Sequence, residues 1–204
     1  SLSSATQNNP HSRIPAFFTF QENDRPAITE FTNFLNRNYQ IGDFSFQLLQ
    51  KETDNIGFVH YRYIQLFKGT PIKGTMLIAH TKNGLVQSFN GETTTEINPI
   101  SEASISSEAA LNLAMKYVGA KTYKWQLADE EAYIKKEQND PKASFYPTAE
   151  KFIVDAGKSN YRLAYRFDIY AQEPVSRKYV FIDAQTGAVI SSEDRIHETE
   201  VTGS

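Results

Sequence analysis

The chain has 204 residues, long enough for one large or two small domains, with 40% hydrophobic residues including 14 Phe and 11 Tyr to build real cores. Its 24 acidic and 21 basic side chains leave a net charge of −3, so no basic field invites nucleic acid or an anionic membrane. There is no cysteine, which excludes disulfides and thiolate chemistry but leaves the compartment open, and no apolar run is long enough for a spanning helix.

Residues 1–13 are rich in Ser, Asn and Pro and read as a flexible N-terminus, consistent with a processed or trimmed start. Ile14 to Phe20 is a short apolar strand or packed arm. Pro26 reads as the first turn of a helix with Asp24 as its cap. Ile28, Phe31, Phe34 and Leu35 then supply one helical face to Tyr39, and Gly42 is the stop signal. Phe44 to Lys51 alternates as a strand, Asp54 to Gly57 turns, and Phe58 to Lys68 is a long strand with mixed faces. A turn at Gly69-Thr70-Pro71 leads to a return strand, Ile72 to His80, and to a third, Leu85 to Phe89.

The polar stretch 95–105 reads as a linker. Ser106 or Ser107 caps a helix whose stripe is Ala110, Leu111, Leu113, Ala114, Tyr117 and Val118, closed by Gly119. Tyr123 to Ile134 reads as one or two strands around Ala128-Asp129-Glu130, and Lys135 to Lys142 as a surface loop. Strands follow at 149–154, 161–170, 177–182 and 188–192. The pattern HYRYIQLFKGTPIKGTMLIAHTKNGLVQSFNG therefore has a counterpart in NYRLAYRFDIYAQEPVSRKYVFIDAQTGAVISS. Each is a meander preceded by a helix, which predicts an α+β fold of two tandem modules, each an antiparallel sheet curled over a helix.

A catalytic centre is hard to assemble from this chain. Of the four histidines, His11, His60, His80 and His197, only His197 is followed by Glu, and Val201 stands where the second histidine of H-E-x-x-H is needed. His60 and His80 sit on strands that can be neighbours. They either pair as polar cross-strand residues, the favoured reading, or meet to bind metal. No G-x-S-x-G elbow and no phosphate-binding glycine loop occurs. The acidic runs read as solvated faces, and the aromatic strand residues as core and cross-strand pairs rather than a nucleic-acid platform.

The first module resembles the fungalysin/thermolysin propeptide domain. His60, Arg62, Gln65, Gly69, Pro71, Gly74, His80 and Gly84 match its motif, while Ile64 stands where that family often has an additional Gln. The second resembles a PepSY domain, with SSEAALNLAMKYVG as its helix and Asp183, Thr186 and Gly187 in its terminal signature. The segment Arg195, Ile196, His197, Glu198, Thr199, Glu200, Val201 is similar to the junction between such a propeptide and a thermolysin-like zinc protease.

The resemblance implies two cystatin-like modules, a propeptide module at 14–94 and a PepSY module at 106–196, with 197–204 as the junction. It implies a secreted bacterial pro-region, freed of a signal peptide, that inhibits its own catalytic domain and assists its folding. The chain itself would be non-enzymatic and cofactor-free, with zinc and calcium in the cognate catalytic domain as its partner. Autoprocessing is expected at Glu200–Val201 first and after His197 second. A free-standing PepSY-type binding module of the cell envelope is the alternative.

Overall fold

A computed structural model describes residues 5–196. The chain divides into two compact units, Ser1–Pro99 and Ile100–Ser204.

In the first unit, β1 (Ala5–Asn9) and β2 (Ser12–Thr19) form a hairpin ahead of α1 (Phe31–Tyr39). The strands β3 (Phe44–Thr53), β4 (Phe58–Phe67), β5 (Thr70–Pro71), β6 (Met76–Lys82) and β7 (Leu85–Glu92) follow. The antiparallel sheet has the order β1-β2-β7-β6-β4-β3, with β5 on β4. Helix α1 lays Phe31, Phe34 and Leu35 on one face of this sheet, where Phe31 meets Phe89 at 5.5 Å and Phe18 stacks on Phe89 at 5.3 Å between ring centres. The mixed strand β4 resolves here. Tyr63 and Gln65 turn into the core, and His60 and Arg62 lie on the opposite face.

Two expectations for this unit need correction. Of the N-terminal stretch expected to be flexible, residues 5–13 are not loose: Ala5–Asn9 is an edge strand, and the hairpin is sealed by the threonines after β7; residues 1–4 lie outside the described residues. Asn9 Nδ2 donates to Thr93 O at 2.9 Å, the Arg13 amide donates to Thr95 Oγ1 at 2.9 Å, and Thr95 N donates to His11 O at 3.0 Å. A polar edge strand satisfied by backbone bonds leaves no apolar period to read. The helix also begins later than Pro26. Val86 N donates to Pro26 O and Ile28 N to Gly84 O, each at 2.9 Å, so this stretch is held extended against β7 and Asp24 caps nothing. The helix stops at Gln40, which is left-handed at φ 48°, ahead of Gly42. Arg13 donates to the terminal carbonyls of Tyr39 and Gln40 at 2.9 and 2.8 Å, a cationic cap on the negative end of the helix.

The second unit opens with α2 (Ser107–Val118), β8 (Thr122–Tyr123) and α3 (Ala128–Glu137). It closes with β9 (Glu150–Asp155), β10 (Tyr161–Glu173), β11 (Val175–Asp183) and β12 (Val189–Asp194). The antiparallel order is β12-β11-β10-β8, with β9 also on β10. Ser106 caps α2 by accepting from Ala109 N at 3.1 Å, and Gly119 ends it at φ 65°. Ala110, Leu111 and Ala114 pack on Tyr165, Phe167, Ile169, Val180 and Ile182. The other face of the sheet carries a smaller cluster of Val154, Ala164 and Phe181.

The stripe of α2 is narrower than its sequence suggests, since Leu113 is 38% and Tyr117 50% exposed. The stretch 123–137 is also corrected. Only Thr122–Tyr123 is strand, and the supposed strands and loop contain α3 instead. Asp129, Glu130 and Glu131 in its first turn and Lys135 and Lys136 in its last suit the helix dipole. The helix buries no residue of its own and is fastened by polar contacts: Glu131 accepts from Ser144 Oγ at 2.7 Å and Phe145 N at 2.8 Å, and Lys135 donates to Ala143 O at 2.7 Å.

Candidate functional site

The motif residues of the first unit divide into a buried structural set and an outward polar set. The long strand β4 must reverse into β6. Gly69 and Gly74 take left-handed φ of 82° and 83°, Pro71 sits in the short strand β5, and Gly84 turns β6 into β7 at φ 76°. Gln65 receives this turn: Ile72 N donates to its carbonyl at 2.8 Å, and Thr75 Oγ1 accepts from its amide at 3.1 Å. Its side chain has 0% exposure and closes a two-bond ring with Thr94, Nε2 donating to Thr94 O at 2.6 Å and Oε1 accepting from Thr94 N at 2.9 Å. Gln65 is thus the buried peg that fixes the chain as it leaves β7.

On the outward face His60 and His80 stand directly opposite each other, with Nδ1 atoms 2.6 Å apart. The outer nitrogens continue the row, His60 Nε2 to Asp54 Oδ2 at 2.9 Å and His80 Nε2 to Asn90 Oδ1 at 2.5 Å. This is the polar cross-strand pair. The hydrogen bond from His60, aided by the amides of Phe58 and Ile56, holds the Asp54 carboxyl below its ordinary range. Arg62, one pleat along, reaches Met76 Sδ at 3.7 Å and carries no ion pair among the described contacts. No group of three or more His, Asp or Glu among the described residues could hold a metal ion.

In the second unit Asp183 organises the β11–β12 turn. Its Oδ1 accepts from Gln185 N at 2.8 Å and Thr186 N at 3.1 Å, and Arg162 Nε meets Oδ2 at 3.0 Å. Burial alone would raise this carboxyl. The two amides and the guanidinium outweigh it and hold the group below the usual range. Gly187 completes the turn at φ 77°; a Cβ there would stand 2.8 Å from Leu113 Cδ1, so the half-exposed Leu113 rests on the space glycine leaves. Ser104 N and Ile105 N donate to Ala184 O at 3.0 and 3.1 Å, which binds the end of the supposed linker to this same turn.

Of the junction segment, Arg195 and Ile196 are described. His197, Glu198, Thr199, Glu200 and Val201 lie outside the described residues. Arg195 is fixed: its amide donates to Arg177 O at 2.7 Å, its guanidinium donates to Asp168 Oδ2 at 2.5 Å, and it stacks on Tyr179 at 4.5 Å. Asp168 also accepts a fork from Arg177, Nε at 3.1 Å and Nη2 at 2.9 Å, which raises the Arg177 pKa. Beside this cluster opens a cleft of about 280 Å3, lined by Ser144, Tyr146, Arg166, Asp168, Arg177 and Tyr179 among others. Sequence reasoning misses Asp168, Arg177 and Tyr179. The alternation Arg166, Asp168, Tyr170 along β10 is the available signal that they share the face opposite the helix.

The chain matches the Fungalysin/Thermolysin Propeptide Motif over residues 44–93 and the Peptidase propeptide and YPEB domain over residues 104–193. It is 31% identical over 179 residues to bacillolysin of Bacillus subtilis (strain 168), covering 84% of this chain and 32% of that protein. It is 26% identical over 157 residues to thermolysin of Alicyclobacillus acidocaldarius (76% and 27% covered). Against the extracellular elastase of Staphylococcus epidermidis it is 28% identical over 203 residues (98% and 36% covered). The chain thus spans about a third of the length of these relatives. Among solved structures, the Bacillus megaterium YpeB C-terminal domain aligns at a TM-score of 0.42 and 12% identity, over 90% of this chain and 73% of that one.

Proposed function

From the premise that this chain is a propeptide region of the thermolysin-like metallopeptidases, pairing the propeptide motif with a PepSY domain, we propose that it inhibits and helps fold the catalytic domain of its own precursor. In this reading the partner is a zinc metalloprotease domain that also carries calcium. The precursor is secreted, and the pro-region is cut away by that protease at Glu200–Val201 or after His197.

The observation that carries the reading is the occurrence of both propeptide modules, in order, within one alignment to bacillolysin. The physics is compatible with it. A partner dominated by non-local contacts folds slowly, and a preformed β-rich surface that binds its native form stabilises that form by mass action. The expected inhibitory segment is Arg195 to Val201; Arg195 is bonded back to Arg177 and Asp168, so we assign inhibition to the residues that follow Ile196, lying extended in the substrate cleft and adding a strand to its edge. His197 or a nearby carboxylate then stands near the zinc in place of water.

The test adds this chain in trans to the denatured catalytic domain and, separately, to the mature enzyme. Refolding yield rises and proteolysis falls if the reading holds. A chain that changes neither defeats it.

A further inference from the structure

The C-terminal end of the second unit is stitched across a strand. Among the described strands β12 pairs with β11 alone, yet the residue just after β12, Arg195, sends its side chain over Tyr179 of β11 to reach Asp168 on β10. Asp168 already has a complete partner without it, because the guanidinium of Arg177 occupies both of its oxygens. The second arginine therefore adds little to the β10–β11 pairing. What it adds is a fixed position for the chain as it leaves the sheet.

Neighbouring ion pairs differ in kind. Lys178 with Asp194 and Arg166 with Glu150 are one-to-one contacts. Asp168 takes two guanidiniums, and both are stacked on tyrosines, Arg177 on Tyr170 at 4.7 Å and Arg195 on Tyr179 at 4.5 Å. Planar guanidiniums stacked on rings and directed at one carboxylate are geometrically specific in a way that mobile surface pairs are not. The side chains of Asp168 and Arg195 are 31% and 32% exposed, so the cluster is partly shielded from solvent.

We propose that Asp168 is a positioning residue for the junction segment: with Arg195 and Tyr179 it clamps the root from which the inhibitory residues extend. The inference rests on the reading of that segment as the plug of the protease cleft. A segment that leaves from a fixed root has fewer backbone residues to immobilise on binding, and each residue already held preserves about five- to thirty-fold in affinity. Releasing Arg195 therefore weakens inhibition by about five- to thirty-fold.

The test uses the whole chain and three variants, Arg195→Gln, Asp168→Asn and Arg177→Gln, with two readouts. The first is amide hydrogen exchange at positions 195 and 196 in the chain alone, with the β10 and β11 amides as the control for folding. The second is the inhibition constant against the cognate catalytic domain. Arg195→Gln and Asp168→Asn accelerate exchange at 195 and 196 and weaken inhibition together. Arg177→Gln, which leaves the Arg195–Asp168 contact in place, changes both far less. Unchanged exchange in Arg195→Gln overturns the clamp, as does an equal effect of Arg177→Gln. Faster exchange with unaltered inhibition overturns the positioning role and leaves the contact a purely structural device, whereas equal inhibition by a chain ending at Ile196 overturns the plug on which the inference rests.

Discussion

Replacing Gln65 with leucine tests how the first unit holds its motif together. The side chain is fully buried and makes both of its strong contacts to a single residue, Thr94, at 2.6 and 2.9 Å. Leucine leaves the Thr94 amide and carbonyl without these partners in a site where Thr94 itself is only 5% exposed. Each stranded buried group costs about 1–3 kcal/mol. The extra apolar burial returns about 1 kcal/mol. The net loss is then about 1–5 kcal/mol, a large part of the roughly 5–15 kcal/mol that holds a typical domain folded. The assay is urea unfolding followed in two ways. Far-UV circular dichroism reports both units, and fluorescence of Trp125, the single tryptophan, reports the second. In Gln65→Leu the dichroism transition of the first unit moves to lower urea while the Trp125 transition stays in place. A loss below about 1 kcal/mol would show that Thr94 finds other partners and that the peg argument is wrong.

Three further outcomes follow from the same geometry. Gly91→Ala destabilises the first unit severely, because a Cβ at this position, φ 155°, would lie 2.0 Å from Met76 O and force β6 from β7; a thermal melt within a few degrees of the parent contradicts this. The Asp183 carboxyl is held below its ordinary value, so its contribution is present above about pH 4 and is lost as pH falls through its folded pKa. Asp183→Asn should therefore lower the urea midpoint near neutral pH and lose less on acidification than the parent, and parallel pH profiles would refute the assignment. Burial pushes the Tyr39 phenol from 10.0 to about 12, so the stability it contributes is complete below pH 10 and disappears between those values. Tyr39→Phe flattens that alkaline loss, and an unchanged spectrophotometric titration above pH 10 would contradict it.

Much of the architecture is legible where one residue type decides the outcome locally. The alternation of β10 and β11, the cap Ser106, the stop Gly119 and the turn glycines Gly69, Gly74, Gly84 and Gly187 are of this kind. What stays hidden is structure made by polar groups distant in sequence. The β1–β2 hairpin is held by Thr93 and Thr95, more than eighty residues away, and α1 is capped by Arg13 from another strand. Helix α3 escapes detection because it buries nothing and is fastened through Glu131 and Lys135. The candidate site follows the same division. His60, His80 and Asp183 can be picked out by residue type and position, and their partners Asn90 and Arg162 cannot. Asp168 is invisible as a partner of Arg195 until β11 is laid between them.

The most direct measurement compares this chain with a version ending at Ile196 as inhibitors of the mature cognate protease, with refolding yield recorded in parallel. The full chain is expected to inhibit stoichiometrically, and the shortened chain to lose inhibition while still raising the refolding yield. Equal inhibition by both versions would contradict the division of labour between a shaped surface and its terminal plug.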